Sequence, residues 1–185
     1  MASGEPGESF QTNLSRAGEL FIYSLWIQGQ MADLLIFRER PDLIPEFLRT
    51  PEVMPSAFVE LRTEAWQSDF SPTKTNFVSA FRDHLDEQDL ADLDFLNALR
   101  NAIAHSHVSV GRDYFLYRPR SRNEAQVVGA LGLQPREGAP EPPLVKLAFF
   151  DDAYYLSCFA RVKRLDESCL AKVASALGVT HSRIR

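Results

Sequence analysis

Apolar residues recur at helical spacing through Leu20, Ile27, Met31, Leu34 and Leu35, and Phe21, Leu25 and Trp26 widen that stripe. The pattern predicts one long amphipathic helix, capped by Asn13 or Ser15 and stopped at Arg40 by Pro41. Glu19, Gln28, Gln30 and Asp33 interrupt or flank its apolar run, so it reads as a bundle helix and not a membrane span. Prolines 41, 45, 51 and 55 leave room only for a short turn around Leu43 to Leu48. A second helix is expected over Ala57 to Phe70, with Phe58, Leu61 and Trp66 facing inward. Ser71 and Pro72 have the form of an N-cap followed by a first-turn proline, predicting a short helix to about Leu85.

Another wide apolar face, Leu93, Leu96, Leu99 and Ile103 with Phe95 and Ala102, predicts a helix from about Glu87 to His105. The period then changes. His107 to Tyr117 and Leu144 to Phe150 alternate in part and carry β-branched or aromatic residues. They read as two antiparallel strands joined by a Gly/Pro-rich loop from Pro119 to Pro143. Asp151 and Asp152 suit the N-terminus of a last helix that ends at Gly178. The expected fold is therefore mainly α: a helical bundle with a β-hairpin inserted before its last helix. One domain is expected over residues 13–178, with disordered tails at 1–12 and 179–185.

Composition adds exclusions. The chain has 185 residues, 45% of them hydrophobic and 24% charged, with a formal net charge of -5. These values suit a globular chain and exclude a basic nucleic-acid coat, so any RNA contact needs a local patch. Met1 to Ser9 lacks the apolar core of a signal peptide, and a cytoplasmic location is expected. Cys158 and Cys169 lie eleven residues apart. On one straight helix that is roughly 16 Å, too far for a disulfide, so they are expected as buried, reduced thiols.

The stretch Leu99-Arg100-Asn101-Ala102-Ile103-Ala104-His105 proposes a chemistry. It sets an arginine, an amide and a histidine at the end of an apolar helix. Arginine keeps its charge and offers a planar fork to phosphate oxygens, while imidazole can exchange a proton near neutral pH. On an ideal helix Arg100 and His105 lie about 140° apart, so a shared site needs the reach of Arg100 and a fraying helix end. Asn101, four residues before His105, does share its face. The plainer reading is that both cations complement the helix dipole. No carboxylate or cysteine at convincing spacing joins His105 and His107, so neither metal nor cofactor is expected.

Arg100 to His105, with asparagine directly after the arginine and the position before a last long helix, resembles the Arg-x4-6-His motif of the HEPN superfamily. The likeness covers element order over residues 13–178, and its sharp part is six residues long. It implies an up-and-down bundle of four or five helices and a metal-independent endoribonuclease of toxin or phage-defence type. It also implies a homodimer that joins two motifs in one cleft, and an antitoxin or immunity partner. His105 would be general base or acid, Arg100 the phosphate and transition-state stabiliser, and Asn101 the orienting group. His107 stands where nucleotidyltransferase-silenced members carry tyrosine, which argues against control by tyrosine adenylylation.

Arg112, Arg118, Arg120, Arg122 and Arg136 gather in the hairpin and its loop. With His107 they are candidate RNA-binding residues, and Tyr114, Phe115 and Tyr117 are candidate base-stacking partners. The alternative is a solvated ribbon whose aromatics cover the bundle. Asp83, Asp86, Glu87, Asp89, Asp92 and Asp94 form an acidic run without an evident compensating base. It reads as a solvated face, or as one that repels RNA or receives a basic partner. Beside the nuclease stands a second class, a non-catalytic HEPN-like module that binds RNA or a protein, and a third, a scaffolding bundle.

Overall fold

A computed structural model describes residues 6–49, 53–110, 112–119, 129, 131 and 144–184. The chain is mainly helical, with a two-stranded antiparallel ribbon before its last long helix. The elements in order are α1 (Pro6–Glu39), a 3-10 turn (Pro41–Leu43), α2 (Ile44–Arg49), α3 (Ser56–Ala65) and α4 (Phe70–Ala80). A second 3-10 turn (Arg82–His84), α5 (Glu87–Ala104), β1 (Phe115–Tyr117) and β2 (Val145–Leu147) follow. Then come α6 (Asp152–Arg164), a π-helical segment (Leu165–Leu170), α7 (Ala171–Ala176) and α8 (His181–Ile184). The chain divides into two compact units, Met1–Ser24 with Asp94–Val162, and Leu25–Leu93 with Lys163–Arg185.

In the first unit, Ala17, Leu20, Phe95, Leu96, Leu99, Ala102, Phe115, Tyr117, Val145, Leu147 and Phe149 form the buried interior. β1 and β2 pair with Phe115 opposite Leu147 and Tyr117 opposite Val145, so the ribbon turns those four side chains inward. The side-chain oxygen of Asn13 accepts the Phe149 N–H, and Arg16 donates to the Phe149 carbonyl at 2.9 Å while pairing with Asp152 at 2.7 Å. Asp151 caps α6 by accepting the Ala153 N–H at 2.9 Å.

These contacts change the expected limits of α1. Asn13 is buried and its oxygen is occupied by a tertiary bond, so it does not cap the helix. The helix starts earlier, at Pro6, and residues 6–12 are helical and not a disordered tail.

The second unit is built on rings. Phe37, Phe47 and Phe58 meet with centroids 4.8 to 5.2 Å apart, and Phe70, Phe77 and Phe81 are buried with them. Helix α3 stops at Ala65, where Ser68 N–H turns back to the Ala65 carbonyl. Trp66 therefore lies beyond it and is 59% exposed, against the inward position expected. Asp69, in extended conformation, precedes α4, so Ser71 and Pro72 sit inside the first turn, where proline's missing N–H is tolerated. Gly178, at φ 73°, closes the last long helix, with Val179 N–H on the Ala174 carbonyl at 2.9 Å. Beyond it the expected loose tail is the turn α8, whose Ile184 is buried.

The acidic run is not a solvated face throughout. Asp89 and Asp92 are fully buried. Arg164 donates from Nε to Asp92 at 2.6 Å, from Nη1 to Asp89 at 3.1 Å and from Nη2 to the Gln88 carbonyl at 2.7 Å. Lys172 reaches Asp89 at 2.6 Å and Asp86 at 3.2 Å. Asp89 also accepts the Asp86 N–H while Asp86 accepts the Asp89 N–H, a reciprocal capping box at the start of α5. That box and Lys172 hold the exposed Asp86 carboxyl below its usual range. The compensating bases lie in a sequence-distant helix, where the acidic run itself gives no sign of them.

By length and composition, Gly7–Glu39 is apolar enough to cross a membrane, with a window of mean hydropathy 1.3. Its buried polar side chains nevertheless find partners in their own units: Asn13 with Phe149, Gln30 with Asp166 and Asp33 with Arg62. Such a helix is suited to a protein interior.

Arg164→Met should leave Asp89 and Asp92 short of cation and cost about 3 kcal/mol of unfolding free energy. Chemical denaturation checks this, and a loss under about 0.5 kcal/mol, the scale of a surface substitution, would contradict it.

Candidate functional site

Burial of Phe95, Leu96, Leu99 and Ala102 turns one side of α5 inward and sets the exposure of the motif. Arg100 and Asn101 are half-buried, whereas His105, just past the helix end, is exposed. The Arg100 guanidinium lies over the Phe21 ring of α1, 5.6 Å from its centroid. His105 N–H still donates to the Asn101 carbonyl at 3.0 Å, so its backbone stays on the helical spiral. His105 thus lies just past the last residue of the helix, as a shared site needs, but its backbone keeps the helical turn. Five steps of about 100° leave Arg100 and His105 about 140° apart around the axis. Asn101, one turn before His105, shares its side.

Two residues on, the chain joins the ribbon. His107 N–H donates to the Leu116 carbonyl at 2.7 Å, and Leu116 N–H returns the bond at 3.0 Å. The exposed His107 is thus fixed beside β1. Leu116 and Lys146 face each other across the register, and Tyr114 belongs to the same outward set. The Lys146 ammonium sits 4.7 Å from the Tyr114 ring, and the Arg112 guanidinium 5.8 Å from it. Arg112 also donates to the Tyr114 hydroxyl at 3.1 Å. Arg118 is exposed at the end of β1.

The structure thus brings Arg112 and Tyr114 together and adds Lys146, which sequence reasoning missed because the strand register was unknown. Phe115 and Tyr117 are buried and do not stack on a ligand, leaving Tyr114 as the outward ring of the three. Arg120, Arg122 and Arg136 lie outside the described residues. Among the described residues, no three His, Cys, Asp or Glu side chains gather so as to hold a metal ion. Cys158 and Cys169 are buried free thiols, pushed up to about 11 and about 12 chiefly by burial, which makes poor nucleophiles of both.

The second unit holds a different kind of site. Leu25, Trp26, Gln28, Gly29, Gln30, Arg62 and Trp66 border a cavity of about 360 Å³. Two buried polar assemblies flank it. In one, Arg62 Nη2 meets the Asp33 carboxylate at 2.9 Å. In the other, Gln30 donates to Asp166 at 2.9 Å, and the His181 ring nitrogen lies 3.0 Å from the Gln30 carbonyl oxygen and 3.3 Å from Asp166. Asp166 belongs to the π-helical segment. Sequence reasoning noticed Gln30 and Asp33 only as interruptions of an apolar run, which was the available signal.

No family model, curated protein or solved structure matches the chain. The site therefore rests on its own geometry.

Burial raises the Asp33 carboxyl from 3.8 to about 7, and Arg62 offsets this only in part. An unfolded aspartate gives up its proton near 3.9, so between that value and about 7 the folded state holds the extra proton. The contribution of Asp33 is full in acid and is lost as pH rises through about 7. Compared with Asp33→Asn, the wild type should lose unfolding free energy between about pH 4 and about pH 7. Denaturation of both proteins across that range tests it, and a constant difference would contradict it.

Proposed function

We propose that the chain is a metal-independent RNA endonuclease of HEPN-like type, working as a homodimer. The carrying observation is the exposed His105 imidazole at the end of α5, one turn beyond Asn101 and two residues from the ribbon anchored at His107. His105 takes the proton of a ribose 2′-hydroxyl, and the freed oxygen attacks the adjacent phosphorus. The 5′-oxygen bond breaks, that oxygen takes up a proton, and a 2′,3′-cyclic phosphate remains. Arg100 offsets the charge that builds on the phosphorane oxygens, and Asn101 orients the imidazole or holds a phosphate.

Arg112, Lys146 and Tyr114 supply the local patch that a chain of net charge -5 needs, two cations bracketing one ring. Arg118 and His107 extend it, and Arg120 remains a candidate from the sequence alone. The resemblance adds a toxin or phage-defence setting, an antitoxin or immunity partner and a cytoplasmic location. A non-catalytic module that binds RNA or a partner protein is the second reading, favoured by the Arg100 guanidinium lying over Phe21.

Purified protein should cut single-stranded RNA in EDTA, and Arg100→Ala and His105→Ala should each lower the rate about 100-fold or more with helicity unchanged. Wild-type cutting by His105→Ala would contradict the assignment. Binding without cutting by the wild type would establish the binding module instead.

A further inference from the structure

Gly29 lies within α1, a long helix, although glycine is the poorest helix former apart from proline. Its backbone does not need a glycine, because φ is not positive there. Nor would a side chain collide, since an added Cβ would meet Trp66 Nε1 at 3.8 Å, an ordinary contact. What the missing side chain provides is room against Trp66, on the wall of the 360 Å³ cavity. That volume lies within the range that receives small molecules.

The rest of the lining has a definite chemistry. Trp66 is 59% exposed, unusual for so large a ring, and Trp26 lines the same cavity. The Arg62 guanidinium lies 4.9 Å from the Trp66 ring centroid. Its Nη2 is held by Asp33, but its Nη1 donates to the Met54 thioether at 3.3 Å, a weak acceptor that an anion would outcompete. Gln28 is engaged with the Ser68 carbonyl at 2.7 Å, and the Gln30 amide is taken up by Asp166 and His181. Arg62 is therefore the charged side chain on the cavity wall best placed to meet a ligand.

We propose that this cavity binds a planar aromatic anion, with Trp26 and Trp66 contacting the ring and Arg62 the anionic group. The site is separate from Arg100 and His105 and does not depend on RNA cleavage. The raised carboxyl of Asp33 supports it, because a partly protonated partner leaves guanidinium charge for a ligand.

Isothermal titration of the full chain with 2-naphthoate and with neutral 2-naphthamide tests this. One equivalent of 2-naphthoate should bind, and the amide should bind at least about tenfold more weakly. Gly29→Leu should fill the cavity and abolish binding while melting no lower than the wild type. Trp66→Ala, at a position 59% exposed, should keep the fold and weaken binding about tenfold. It decides the matter if Gly29→Leu fails to fold. Equal affinity for acid and amide, wild-type binding by a folded Gly29→Leu, unchanged affinity in Trp66→Ala, or no heat up to the solubility limit would each overturn the proposal.

Discussion

A carboxylate removed from water must be met by a cation or by several hydrogen bonds, and this requirement organises the second unit. Asp89 and Asp92 are fully buried on α5, and all three guanidinium nitrogens of Arg164 turn to them and to the Gln88 carbonyl. Lys172 completes the set. These two cations flank the π-helical segment, one immediately before it and one two residues after, and both reach Asp89. A wider turn changes which way the following residues face, so it belongs to the same solution. Asp33 with Arg62, and Asp166 with Gln30 and His181, repeat the theme on a smaller scale.

The motif in the first unit obeys a different constraint. The hydrogen bond from His105 to Asn101 keeps the imidazole on the spiral of α5, while the Arg100 guanidinium rests on Phe21. A single helix thus offers His105 and Arg100 on different sides. In the proposed homodimer, two copies related by a twofold axis would resolve this, each supplying the group that the other presents elsewhere.

Long apolar periodicities were the legible part of the fold. The motif helix, expected from Glu87 to His105, runs Glu87–Ala104, and the glycine stop at Gly178 and the acidic cap at Asp151 also stand. Local signals failed where tertiary contacts outbid them. Asn13 reads as a cap but serves Phe149, and Trp66 reads as core yet lies beyond the end of α3. At the site, residue types near the motif were legible, whereas ribbon register was not, so which of Tyr114, Phe115 and Tyr117 cover the bundle stayed open and Lys146 was overlooked. Buried ion pairs joining distant segments leave no periodic trace, which is why Arg164 and Arg62 had no forecast role.

Mixing Arg100→Ala with His105→Ala tests the central claim most directly, with RNA cleavage in EDTA as the readout. If each site draws its arginine from one copy and its histidine from the other, mixed dimers regain one intact site. The mixture should then recover about a quarter of wild-type activity. A mixture as inactive as its components, under conditions where subunits exchange, would contradict the account.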